Sequence, residues 1–183
     1  MISKFFPTSI IRDFYNFYQS EKGILIYVPI LISLGLTFIV KIDMTLINLL
    51  FASLSIFLGF LLNLMIMSFN LKDDTIPPVE VGGRIWRLKD VLEEYHITIS
   101  FEILITLMLV ILMLFASLVH KNMYILFPNM VNILKLIYSF VIVYLLILFL
   151  IVLFRVLNFG YIYIKIFYKK LIFISFNNFF SIF

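Results

Sequence analysis

The chain has 183 residues, 64% of them apolar and 13% charged, with a formal net charge of +4 and no cysteine. A soluble domain carries about 25% charged residues, so most of this chain cannot present a water-exposed surface, and a mean hydropathy of +1.16 points to lipid as its solvent. The missing cysteines exclude disulfides, thiolate chemistry and cysteine-ligated metal or iron–sulfur centres.

Residues 1–22 precede the first apolar run. Ser9, after Pro7, can cap a helix on which Ile10, Phe14, Phe17 and Tyr18 share one face, with Ile11 and Tyr15 beside them and Arg12, Asp13, Asn16 and Gln19 opposite. That spacing predicts a helix lying in the membrane interface. The first span covers 24–40, near the lower length limit for crossing a bilayer. Pro29 and Gly35 lie inside it, which membrane helices tolerate. No small-residue cleavage site follows, so the run reads as an uncleaved anchor. A tight turn at 41–43 leads to the second span, 46–69. There Ala52, Ser55 and Gly59 form a stripe of small residues, and Ser55 and Gly59 have the small-xxx-small spacing that lets helix backbones approach. The stripe is a contact surface either between subunits or within one chain.

Residues 70–96 form the one long loop and a helix extension. Prolines at 77 and 78 stop the preceding helix. Val79-Glu80-Val81, the Gly82-Gly83 turn signal and alternating Arg84-Ile85-Trp86-Arg87-Leu88 predict a small hairpin. Asp90 with Glu93 reads as a capping box, opening a helix of about 30 residues that meets its first breaker at His120-Lys121-Asn122. Its first two turns are expected to stand in the cytoplasm and its remainder, 97–119, to span. The fourth span is 132–154, closed by Arg155, with Gly160 expected to end the helix. The tail, 160–183, is rich in Phe and Tyr and carries Lys165, Lys169 and Lys170. Its apolar run is short for a fifth span, so the tail is expected to lie in the headgroup layer as an interfacial anchor.

Charge asymmetry orients the spans. Lys4, Arg12, Lys22, Lys72, Arg84, Arg87, Lys89, Arg155, Lys165, Lys169 and Lys170 fall on one side, and Lys41, Lys121 and Lys135 on the other. By the positive-inside rule both termini and the long loop are cytoplasmic. The fold class is therefore an all-α integral membrane protein, a four-transmembrane-helix bundle with an N-terminal interfacial helix and a cytoplasmic loop between helices 2 and 3. The skew to Ile, Phe, Leu, Asn and Lys reads as an AT-rich, bacterial coding sequence, and with the spans the expected location is the bacterial cytoplasmic membrane. The basic flanks suit anionic lipid headgroups rather than nucleic acid.

The catalytic inventory is thin. There is no nucleophile elbow, Walker loop, His-Glu-x-x-His or Gly-rich dinucleotide loop. His96 and His120 fall on opposite membrane faces and cannot share a metal within one subunit. No enzyme activity, cofactor or metal is expected. Glu102 is the one acid inside a predicted span. Intramembrane ionisable groups are costly and are usually paired or functional. Arg155 sits at the matching depth, so a Glu102–Arg155 inter-helix pair is expected, with a proton or ion site and a snorkelling carboxylate as alternatives. Arg84, Trp86 and Arg87 make the most distinctive polar cluster. Trp and Arg are common at binding hot spots, so the cluster either docks a cytoplasmic protein or sits among headgroups.

Four spans, cytoplasmic ends and one cytoplasmic segment over 72–96 resemble the small four-helix membrane subunits of bacterial anti-phage defence systems such as Kiwa. The resemblance covers the whole chain in layout and rests on no residue motif. It implies homo-oligomerisation and a soluble cytoplasmic partner that supplies the enzymatic activity. The function expected is a non-enzymatic membrane subunit that oligomerises and senses, signals to or anchors that partner. The alternative is an oligomeric ion pore or small transporter in which Glu102, Asn63 and Ser55 line a wet path.

Overall fold

The structure, a computed structural model, describes residues 7–39, 42–69, 79–81, 84–126 and 131–180. In chain order it comprises α1 (Pro7–Phe17), a 3₁₀ turn (Gln19–Glu21), α2 (Lys22–Ile39), α3 (Met44–Phe69), β1 (Val79–Val81), β2 (Arg84–Trp86), α4 (Leu88–Leu126) and α5 (Val131–Phe180). Four stretches are helical, long and apolar enough to cross a bilayer: Gln19–Ile39, Met44–Ser68, Lys89–Ser117 and Ile133–Ile162. The strands form the expected hairpin, antiparallel with Val79 opposite Trp86, Glu80 opposite Ile85 and Val81 opposite Arg84. Its Gly82-Gly83 turn, the 70–78 stretch with its two prolines, and Pro128 lie outside the described residues.

The centre of the fold is α4. It packs against α3 on one side and α5 on the other, α2 packs on the far side of α5, and α1 lies against α4. The four long helices therefore run α3–α4–α5–α2, with α2 and α3, neighbours in sequence, on opposite flanks. On α3 the most buried line is Ile47, Leu54, Leu61 and Ser68. These recur every seven residues, which is two helical turns and the repeat of a seam between packed helices. The interior joins Phe101, Ile105, Leu109 and Met113 of α4 to Ile142, Leu145, Phe149 and Val152 of α5. The outer faces are apolar too: Leu31, Phe38, Ile56 and Phe154 are each well exposed. A soluble monomer rarely shows so much contiguous apolar surface.

A local signal explains the start of α3. Asp43 caps α3, with Oδ1 accepting the Leu46 N–H at 2.8 Å and its carbonyl accepting the Ile47 N–H at 3.1 Å. The start of α4 differs from expectation. Its first turn begins at Leu88 and the Arg87 carbonyl accepts the Val91 N–H, so Arg87 holds the cap position and Asp90 lies inside the turn. There the Asp90 carboxylate favours the positive helix end without capping it.

The expected ends of the last two helices are also corrected. His120-Lys121-Asn122 does not stop α4, which continues to Leu126, and Gly160 does not end α5, which continues to Phe180. Three polar residues without Gly or Pro carry no steric reason to break a helix. One helical glycine costs only about 1 kcal/mol relative to alanine, and Phe159 and Ile162 beside it are buried. The tail, through Phe180, is thus a helical extension of the last span. The fifty residues of α5 measure about 75 Å at 1.5 Å each, against a hydrocarbon core of about 30 Å.

The amphipathic face of α1 is spent on protein. Phe14 is fully buried, its ring stacked on that of Phe101 with centroids 3.9 Å apart and planes at 13°. Tyr18 is buried beside it, whereas Phe17, expected on the same face, is 44% exposed.

Candidate functional site

Polar side chains from several elements meet at one end of the bundle. The Tyr18 hydroxyl donates to Oε1 of Glu94 at 3.2 Å and lies 2.9 Å from the Thr98 hydroxyl. The Arg155 guanidinium sits 4.3 Å over the Tyr18 ring and forms an ion pair with Glu21. The Ser68 hydroxyl, at the end of α3, donates to the Met65 carbonyl at 2.7 Å and lies 3.3 Å from Nδ1 of His96. The 3₁₀ turn before α2, the end of α3, an early turn of α4 and the Arg155 turn of α5 are thereby joined in one belt. Burial pushes the Tyr18 phenol up to about 12, partly opposed by its Thr98 hydrogen bond and by Arg155. Tyr15 is raised for the same reason, with Tyr144 adding to the effect.

From this belt a polar stripe runs along α4. Glu94, Thr98, Glu102 and Thr106 are spaced by four, so they stand one above another on one helix face, and all four are buried. The Thr98 and Thr106 hydroxyls donate to the carbonyls of Glu94 and Glu102 at 2.7 and 2.8 Å. The Glu102 carboxyl differs. It is 0% exposed, and neither oxygen has a hydrogen-bond partner among the described residues.

The expected Glu102–Arg155 pair is therefore not formed, because Arg155 is engaged by Glu21 and Tyr18. The physical reason is desolvation. The Arg155 and Glu21 side chains keep 22% and 49% exposure, whereas pairing with Glu102 would bury both charges. A snorkelling Glu102 is excluded by its complete burial.

The small-residue stripe Ala52, Ser55 and Gly59 is exposed, and a Cβ on Gly59 would meet nothing within 4 Å. Among the described residues the stripe makes no packing face. Ser55 bonds back to the Phe51 carbonyl at 2.8 Å. Asn63 is exposed as well, so Ser55 and Asn63 do not join the buried Glu102 in one path within the chain. Arg87 is exposed at the start of α4, while Arg84 and Trp86 are described by their backbone in β2 alone. His96 and His120 lie 24 residues apart on α4, about 36 Å. Among the described residues no three His, Cys, Asp or Glu side chains gather as a metal site.

Tyr18 and Glu21 were not among the candidates read from the sequence. Both lie in the polar stretch just before the first span, where a charge level with Arg155 is expected by topology. The four-residue spacing of Glu94, Thr98, Glu102 and Thr106 was legible too. Comparison of the chain with protein-family models, curated proteins and solved structures finds no match.

Proposed function

We propose that the chain is a non-enzymatic, homo-oligomeric subunit of the bacterial cytoplasmic membrane, with both termini inside, that docks a cytoplasmic protein. The observation that carries this is how far the protein extends beyond one end of its membrane-length core. Beyond the membrane-length stretches on that end lie the hairpin and the part of α5 from 163 to 180, about 26 Å of helix. Simple anchoring needs none of this. Ile164 and Tyr168 on the α5 extension are at least 65% exposed, and exposed apolar surface of this kind marks contact sites.

Several further features support the reading. Most of the Lys and Arg residues fall at the belt end, which the positive-inside rule makes cytoplasmic. Arg84, Trp86 and Arg87 are residue types that anchor partners. The outward Ala52, Ser55 and Gly59 stripe suits contact with a second copy. Lys165, Lys169 and Lys170 suit anionic headgroups at the same surface. The setting in anti-phage defence rests on the layout resemblance alone.

The cysteine-free chain allows a direct test. Single variants Arg87→Cys, Tyr168→Cys and Lys135→Cys would be treated with a membrane-impermeant maleimide in spheroplasts and in inverted vesicles. Positions 87 and 168 should react only in inverted vesicles and position 135 only in spheroplasts. A photo-crosslinker at 87 or 168 should give a discrete protein adduct, and native mass spectrometry should give a multimer. Outside labelling of 87 and 168, or crosslinking to lipid alone, would refute the docking end.

A further inference from the structure

We infer that Glu102 is a proton-binding site, and that α1, docked on α4, closes it from the aqueous phase at the belt. This goes beyond the docking function and does not depend on it. The readings that would make Glu102 structural fail on geometry. An inter-helix tie needs a partner, and both carboxyl oxygens lack one among the described residues. Solvation needs exposure, and Glu102 has none. A carboxyl buried without partners is costly when charged and least costly as the neutral acid. The side chain then carries its own compensating proton, which can be given up only when water or a counter-charge arrives.

The surroundings supply a way in. Thr98 is one turn from Glu102 towards the belt, and Tyr18 links Thr98 to Glu94. The two buried side chains of the N-terminal segment, Phe14 and Tyr18, contact two α4 residues close to Glu102: Phe14 stacks on Phe101, next to it in the chain, and Tyr18 meets Thr98, one turn away. Lifting α1 would uncover both residues together. The exchange is one proton: the Glu102 O–H bond breaks, the pair stays on the carboxylate, and the proton passes to water at the belt. No electron moves and no other reactant is needed.

Few other charges bear on this group. On the elements packed against α4, α3 carries no ionisable side chain. The N-terminal helix brings Arg12 and Asp13, ion-paired with each other at the surface, and Tyr15. From α5 come Tyr144, Tyr138, whose hydroxyl donates to the Leu112 carbonyl, exposed Lys135, and Arg155, held by Glu21. On α4 itself, Glu94 and His96 belong to the belt.

Infrared difference spectroscopy of the full chain in nanodiscs tests the inference. The carbonyl stretch of a protonated carboxylic acid should be present and should give way to carboxylate as the pH is raised. Glu102→Gln should abolish that band, and Glu102→Leu should do the same if the amide variant does not fold. Tyr18→Phe should keep the band but speed its exchange in deuterated water about tenfold, the factor set by one hydrogen bond of about 1.4 kcal/mol. A band unchanged by both Glu102 variants overturns the assignment. A band that never titrates, in the native chain or in Tyr18→Phe, also overturns it, since Glu102 would be a permanently neutral acid. Exchange unaltered by Tyr18→Phe and by Phe14→Ala removes the N-terminal segment as the closure. None of these readouts involves a partner protein, so failure here is distinct from failure of the docking function.

Discussion

Replacing Phe14 with alanine should free α1 from the bundle. The Phe14 ring is fully buried, stacked on Phe101 and flanked by Tyr15 and Tyr18 at centroid distances of 5.6 and 4.9 Å. Truncating a fully buried Phe costs about 3–5 kcal/mol. Because the Phe14 ring is buried against α4 only when α1 is docked, a loss near 3 kcal/mol is taken from docking itself. At 1.4 kcal/mol per decade the docking equilibrium shifts about a hundredfold. Spin labels on Asn16→Cys and Lys89→Cys, both exposed positions in a chain without native cysteine, report the α1–α4 separation. The parent should give one narrow distance distribution, and Phe14→Ala a broad and longer one. Phe17→Ala, on the exposed side of the same helix, should leave it narrow. A distribution in Phe14→Ala as narrow as the parent's would refute apolar docking and leave the Tyr18 contacts as the attachment.

Three other changes test separate parts of the fold. Asp43→Ala removes the α3 cap and should cost about 1 kcal/mol, read as faster amide exchange at Leu46 and Ile47. Gly160→Ala places a Cβ where nothing lies within 4 Å in the middle of α5, and should raise the melting temperature in detergent through a gain of about 1 kcal/mol; a lower melting temperature would mean that the helix breaks there. The Tyr18 phenol titrates at about 12 when docked, against an ordinary value of 10.0, so the docked state holds the proton more tightly. That contribution to α1 docking is fully present below about pH 10 and is lost as the pH rises from 10 to 12. The same label pair should show α1 releasing over that window, with Tyr18→Phe flattening the response.

Span positions were legible because runs of about twenty apolar residues have few structural alternatives. The hairpin was legible because Gly82-Gly83 sits between two short alternating runs. Helix ends were not. Whether α5 stops at Gly160 depends on whether the next turn finds packing, and Phe159 and Ile162 find it. Depth matching set Glu102 level with Arg155, whereas Glu102 lies deeper along α4 and Arg155 stands at the belt. Glu21 and Glu94 share that level, and rotational phase together with α2 packing on α5 decides for Glu21.

The pairing also explains why Glu102 is left alone. Glu102 lies eight residues along α4 from Glu94, about 12 Å further from the belt. At the belt a carboxylate shares Tyr18, Arg155 and solvent, but two turns deeper only the neutral acid is affordable. The N-terminal segment touches both levels, through Tyr18 at the belt and Phe14 of α1 on Phe101. A cytoplasmic partner that displaced α1 would open Glu102 to water, and loss of the Glu102 proton would favour the open state that such a partner needs. Linkage makes the two effects equal in free energy. Partner affinity should then rise with pH in the native chain and lose that dependence in Glu102→Gln, whereas a partner that binds without moving α1 would show the same affinity in both.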